Sequence, residues 1–123
     1  MLGPMPAYGL YARNSRGITL CNVRFELQSA DLRPALIFDN VTDANINGWT
    51  VQADPGAESV ARFINAKQVL ITAARLLAQG KTFLQLEGAS NAEIVVDGGD
   101  LSRAEQPLAF RDGADKNAVR LRE

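Results

Sequence analysis

One feature constrains this chain more than any other: segments of the same character recur about every 24 residues along its whole length. Gly9-Leu10-Tyr11-Ala12-Arg13-Asn14 is followed at an offset of 26 by Ala35-Leu36-Ile37-Phe38-Asp39-Asn40, and 25 later by Val60-Ala61-Arg62-Phe63-Ile64-Asn65. Phe83-Leu84-Gln85-Leu86-Glu87-Gly88 comes after a further 23 and Pro107-Leu108-Ala109-Phe110-Arg111-Asp112 after a further 24. A repeat of this length cannot bury its apolar face alone and must stack on its neighbours, which makes the chain a solenoid. Apolar residues alternate within each segment, the period of a strand. They form one inward column of Leu10, Leu36, Ala61, Leu84 and Leu108 and a second of Ala12, Phe38, Phe63, Leu86 and Phe110. The positions between, Tyr11, Ile37, Arg62, Gln85 and Ala109, are chemically mixed and read as a solvent face. Asn14, Asn40, Asn65, Gly88 and Asp112 close the segments, residue types that tolerate the left-handed conformation of a sharp corner.

Beyond the corner a second alternating set follows: Ile18 and Leu20, Ala44 and Ile46, Val69 and Ile71, Ala92 and Ile94. A third short piece carries Val23 and Phe25, Trp49 and Val51, Ala74 and Leu76. Polar connections such as Gln28 to Arg33, Ala53 to Ser59 and Gln79 to Lys81 take up the drift in period. The reading is therefore an all-β fold, a parallel β-helix (β-solenoid) of about five coils, with residues 1–123 forming one domain. An α-solenoid needs apolar residues at helical spacing over 10–15 residues; only Ala66 to Leu77 approaches that, and its Val69/Ile71 alternation matches the other coils. The Leu-spaced consensus of a leucine-rich repeat is not present either.

Composition removes several classes of chemistry. Thirteen Lys+Arg against 14 Asp+Glu leave a net charge of −1, without the basic footprint of a nucleic-acid or anionic-lipid binder. Histidine does not occur, which excludes His triads and His metal clusters, and the one cysteine, Cys21, precludes an intrachain disulfide and reads as a small buried hydrophobe. No cofactor or metal is implied. Met1 to Pro6 has neither the charged nor the apolar region of a secretory signal, and no apolar run approaches the ~20 residues of a membrane span.

Three stretches carry a resemblance: Gly3-Pro4-Met5-Pro6-Ala7-Tyr8-Gly9-Leu10-Tyr11-Ala12-Arg13, Gly17-Ile18-Thr19-Leu20-Cys21-Asn22-Val23-Arg24-Phe25 and Asp31-Leu32-Arg33-Pro34-Ala35-Leu36. They resemble the C-terminal coils of bacterial polygalacturonase-like proteins of glycoside hydrolase family 28, most specifically over the first 40 residues; past about Ala53 the coil pattern alone persists. The resemblance implies a right-handed parallel β-helix and, for complete members, hydrolysis of pectin-type glycosides in a secreted or periplasmic setting. The family's Asn-Thr-Asp, Asp-Asp, Gly-His-Gly and Arg-Ile-Lys motifs are not in this sequence. Positions leading into the first strands, Pro6-Ala7, Arg33-Pro34, Ser59, Thr82 and Gln106, supply no carboxylate, whereas inverting hydrolysis needs two carboxyl groups about 6.5–9.5 Å apart.

What remains as candidate ligand-facing chemistry is Tyr11, for stacking on a sugar ring, and Arg13 and Arg33, for gripping a carboxylated sugar. Asp97 and Asp100 flank Gly98-Gly99 and read either as a cation or sugar-hydroxyl site or as an Asp-Gly turn. Arg24 and Arg33 have Glu26 and Asp31 at hand as surface partners, Asp39 and Asp43 bracket a corner, and Trp49 falls in a core column. The expected function is a non-catalytic structural module resembling the terminal coils of a pectin-degrading hydrolase. The alternatives are a carbohydrate-binding module and part of a hydrolase whose catalytic residues lie on another chain. Because Met1 to Pro6 is too short and Pro-rich to cap the first coil, that coil is expected to pair with a second copy through Leu2, Met5, Tyr8 or Leu10, most simply about a two-fold axis.

Overall fold

The structure is a computed structural model that describes residues 6–122. In chain order its strands are β1 (Leu10–Cys21), β2 (Arg24–Phe25), β3 (Leu36–Asn47), β4 (Thr50–Val51), β5 (Ser59–Ile64), β6 (Lys67–Thr72), β7 (Arg75–Leu76), β8 (Gly80–Glu87), β9 (Ala92–Asp97), β10 (Ala104–Arg111) and β11 (Val119–Arg122). All pairings between them are parallel and join neighbouring coils. The first parts of β1 and β3 stack with β5, β8 and β10 as one face; their second parts stack with β6, β9 and β11 as the next. A third face holds β2, β4 and β7, extended by a bridge from Arg75 to Asp100. The fold is thus the parallel β-helix of about five coils that the repeat demands, its fifth coil contributing to two faces. Among the described residues no helix is long and apolar enough to cross a membrane.

Both inward columns of the first face pair in the expected register, Leu10–Leu36–Ala61–Leu84–Leu108 and Ala12–Phe38–Phe63–Leu86–Phe110. The Phe38 and Phe63 rings stack with centroids 5.2 Å apart and planes 14° from parallel. On the second face the columns are Ile18–Ala44–Val69–Ile94–Val119 and Leu20–Ile46–Ile71–Val96–Leu121, so the fourth coil turns in Ile94 and Val96, not Ala92 and Ile94. The reason is an insertion at the corner. Six positions separate Phe63 from Val69, but eight separate Leu86 from Ile94 and nine separate Phe110 from Val119. The fourth-coil corner is held by Asn91, whose Oδ1 accepts from the Ala66 backbone N–H at 2.9 Å and whose amide donates to the carbonyls of Glu87 and Gly88 at 2.8 and 3.0 Å.

The expected turn column adopts positive φ throughout, at Asn14, Asn40, Asn65, Gly88 and Asp112. Two further left-handed columns exist that composition did not announce: Gly17, Asp43, Gln68 and Glu93, and Asn22, Gly48, Ala73 and Gly98. Each of the first four coils therefore has three left-handed corner positions, and side chains as ordinary as Gln68 and Ala73 (φ +57° and +55°) are held there by the stacking above and below. Left-handed geometry costs a residue with a Cβ about 1–2 kcal/mol, while glycine surrenders about 0.5–1 kcal/mol of chain entropy. Ala73→Gly is accordingly expected to raise the urea midpoint, by the equivalent of about 0.5–1 kcal/mol.

The core runs along the axis through Leu36, Phe38, Val51, Phe63, Leu84 and Leu86, and Trp49 is fully buried in it as its column predicted. Ala35/Leu36, Val60/Ala61 and Phe83/Leu84 are consecutive core residues, which marks a bend where the chain enters the first face. β8 accordingly begins at Gly80, inside the segment read as a loop.

Candidate functional site

Tyr11 and Arg13 stand on the outer surface of the first face. Tyr11 continues into Ile37, Arg62, Gln85 and Ala109, and Arg13 into Asp39, Ile64, Glu87 and Arg111. The first of these columns is not the solvent face expected from its mixed composition: Ile37, Gln85 and Ala109 retain 1%, 3% and 6% exposure. With rungs about 4.8 Å apart, long side chains lie along the stack and shield the shorter ones beside them. Arg62 runs toward the next coil, where its guanidinium grips Glu87 through two nitrogens, Nη2 donating to Oε1 at 2.9 Å. Gln85 donates to the same carboxylate at 3.2 Å, leaving its own amide oxygen buried without a partner among the described residues. Arg111 reaches Glu58 at 3.8 Å and Arg13 reaches Asp39 at 3.8 Å. Opposite charges meet between adjacent rungs at Arg13–Asp39 and Arg62–Glu87, and two rungs apart at Arg111–Glu58.

The other candidate residues lie elsewhere. Arg33 is bound through its Nε and Nη2 to Asp31, at 2.9 and 2.6 Å, and Arg24 to Glu26 at 3.0 Å, the local pairings anticipated from sequence. Asp97 sits at the end of β9, paired with Thr72 and Arg122, while Asp100 forms a turn in which its Oδ1 accepts from the Ser102 N–H at 3.1 Å and hydroxyl at 2.6 Å. The five candidates are therefore not gathered into one site. Among the described residues no cluster of acidic, cysteine or histidine side chains has metal-binding geometry. Cys21 is exposed, not buried: it falls in the outward column with Asn47, Thr72 and Asp97.

Charged hydrogen bonds hold several carboxylates below their ordinary range. The Arg33 guanidinium lowers Asp31 to about 2, Arg24 lowers Glu26, Arg62 lowers Glu87 against the opposing effect of burial, and Ser102 lowers Asp100. Carboxylates depressed in the folded state contribute stability that is complete above their unfolded pKa of about 4 and is lost as pH falls through the folded values. The urea midpoint is therefore expected to hold from neutrality to about pH 5 and decline between about pH 4 and pH 2, with a shallower decline in Glu87→Gln.

The remaining feature is the edge of the stack. β1 pairs with β3 on one side and with no described strand on the other, and β2 pairs only with β4. Leu10, Ala12, Ile18, Leu20, Val23 and Phe25 are consequently half-buried, where the matching residues one or two coils along are fully enclosed. Of the residues expected at an interface here, Leu2 and Met5 lie outside the described residues. Tyr8 is turned inward, its hydroxyl donating to the Gln52 carbonyl and its ring meeting Phe25 edge-on at 6.4 Å. At the opposite end a cleft of about 330 Å³ lies against the last coil, lined by Gly98, Gly99, Asp100, Leu101, Ser102, Pro107, Leu121 and Arg122. Comparison with protein-family models, curated proteins and solved structures finds no match for this chain.

Proposed function

We propose that this chain is a non-catalytic structural β-helix module, a stack of coils continued at its open first coil by another β edge. The observation that carries the reading is the side of β1 that no strand among the described residues pairs, on a 12-residue strand beside a row of half-buried apolar side chains. Such an edge is a template for a further strand. The carboxylate chemistry supports the same reading. Glu87 and Asp31 are kept ionised by guanidinium partners, the state that stabilises a fold, whereas glycoside cleavage needs one carboxyl group protonated at working pH. The likeness of the first 40 residues to the terminal coils of family 28 hydrolases fits a scaffold role. Full-length chain incubated with polygalacturonate across pH 4–8 is expected to release no reducing ends above a blank. Release abolished by Glu87→Gln or Asp39→Asn would overturn the reading.

A further inference from the structure

Resting on that reading, we infer that the open edge of β1 is built to receive an extended segment carrying carboxylates, and not a second copy of this chain. The charged residues of β1 are Arg13 and Arg16, both exposed. Arg13 reaches Asp39 on its paired side at the long distance of 3.8 Å, and Arg16 has no partner among the described residues. Between adjacent rungs the protein sets opposite charges together, Arg13 with Asp39 and Arg62 with Glu87. Continuing that pattern beyond β1 calls for an acidic side chain opposite each arginine.

Self-association meets like charge in both of its geometries. A two-fold pair through β1 runs the two strands antiparallel, and with its axis between Asn14 and Ser15 it sets Arg13 of each copy opposite Arg16 of the other. A head-to-tail stack continues the Arg13–Asp39–Ile64–Glu87–Arg111 column by setting Arg111 against Arg13, with Arg120 and Arg122 beside Thr19 and Cys21. Like charges directly opposite across strands are destabilising, and cations on an open edge are a recognised guard against pairing of identical edges. The partner that satisfies the edge is an alternating strand with apolar residues for the Leu10 and Ala12 columns and carboxylates on its outward side.

The chain's own second rung provides the probe, because it already lies against the other side of β1 with Asp39 opposite Arg13 and Thr42 opposite Arg16: a labelled peptide of residues 35–47 carrying Thr42→Asp, so that an aspartate faces each arginine. Fluorescence anisotropy with full-length protein is expected to show binding that weakens at least ~10-fold between about 50 and 500 mM NaCl. It should also weaken at least ~10-fold in Arg16→Glu, be retained in Arg16→Lys, and disappear for a peptide with both arginine-facing aspartates changed to lysine. Hydrogen exchange should place the protection on β1. Equal binding of the lysine peptide, or sedimentation showing a dimer that protects β1 and is indifferent to salt, overturns the acidic-segment inference while leaving the continued-edge reading standing. If neither the peptide nor a second copy protects β1 under any of these conditions, the continued-edge reading fails with it.

Discussion

Gly99→Ala is expected to cost at least about 3 kcal/mol of folding free energy, while Gly98→Ala, one residue earlier, costs about 0.5–1 kcal/mol. Both glycines have positive φ, +69° at Gly98 and +92° at Gly99, so both pay a conformational penalty for acquiring a Cβ. They differ in what that Cβ meets. At Gly98 nothing lies within 4 Å; at Gly99 it would fall 2.1 Å from the Ala74 carbonyl oxygen and 2.7 Å from the Ala74 nitrogen. Those are backbone atoms of the coil beneath, and Ala74 O accepts the Asp100 N–H at 2.8 Å, so relief requires separating two rungs of the third face. Urea unfolding of the two variants measures the difference. Equal midpoints would mean that the rungs are not stacked as closely as described.

The second large effect is in the core. Phe63→Ala is expected to destabilise the fold by about 3–5 kcal/mol, because the ring is fully enclosed and the coils on either side are tied by backbone ladders that cannot collapse into the void. It also loses the stacked contact with Phe38. Trp49→Phe provides the contrast. Trp49 is just as buried and packs against Phe25 and Phe83, but its indole N–H has no acceptor among the described residues. Removing an unsatisfied buried donor recovers about 1–3 kcal/mol, which offsets the lost ring volume, so its midpoint should stay within about 1 kcal/mol of the parent. A Phe63→Ala loss no larger than that of Trp49→Phe would contradict the packing described.

How far the sequence alone leads can be judged residue by residue. The columns of Leu36 and Phe38 were legible because a strict period of two, repeated at a constant offset, permits one register. Ile94 and Val96 were misassigned because that logic presumes a constant corner, and two residues added between Leu86 and Ile94 are absorbed without disturbing either face. The Gln68 and Ala73 corners carry no local signal: their left-handed backbone is imposed by the coils above and below. The burial of Ile37 and Gln85 on the outward side of their strands is set by side chains of neighbouring rungs, which no alternation pattern encodes. Arg24 and Arg33 were paired correctly because their carboxylates are two residues away in the chain. The pairing of Arg62 with Glu87, 25 residues apart, depends on the stack and was not foreseen.

The widening first corner has a practical consequence. From the third coil to the fifth it takes up added residues on the outside of the stack, while β10 still pairs with β8 and β11 with β9 in unbroken register. A foreign peptide spliced between Asp112 and Lys116 would hang from this outrigger, its two ends clamped by strands that already tolerate variable length between them. The solenoid can in this way serve as a display frame, presenting a guest loop from one edge of an otherwise rigid column.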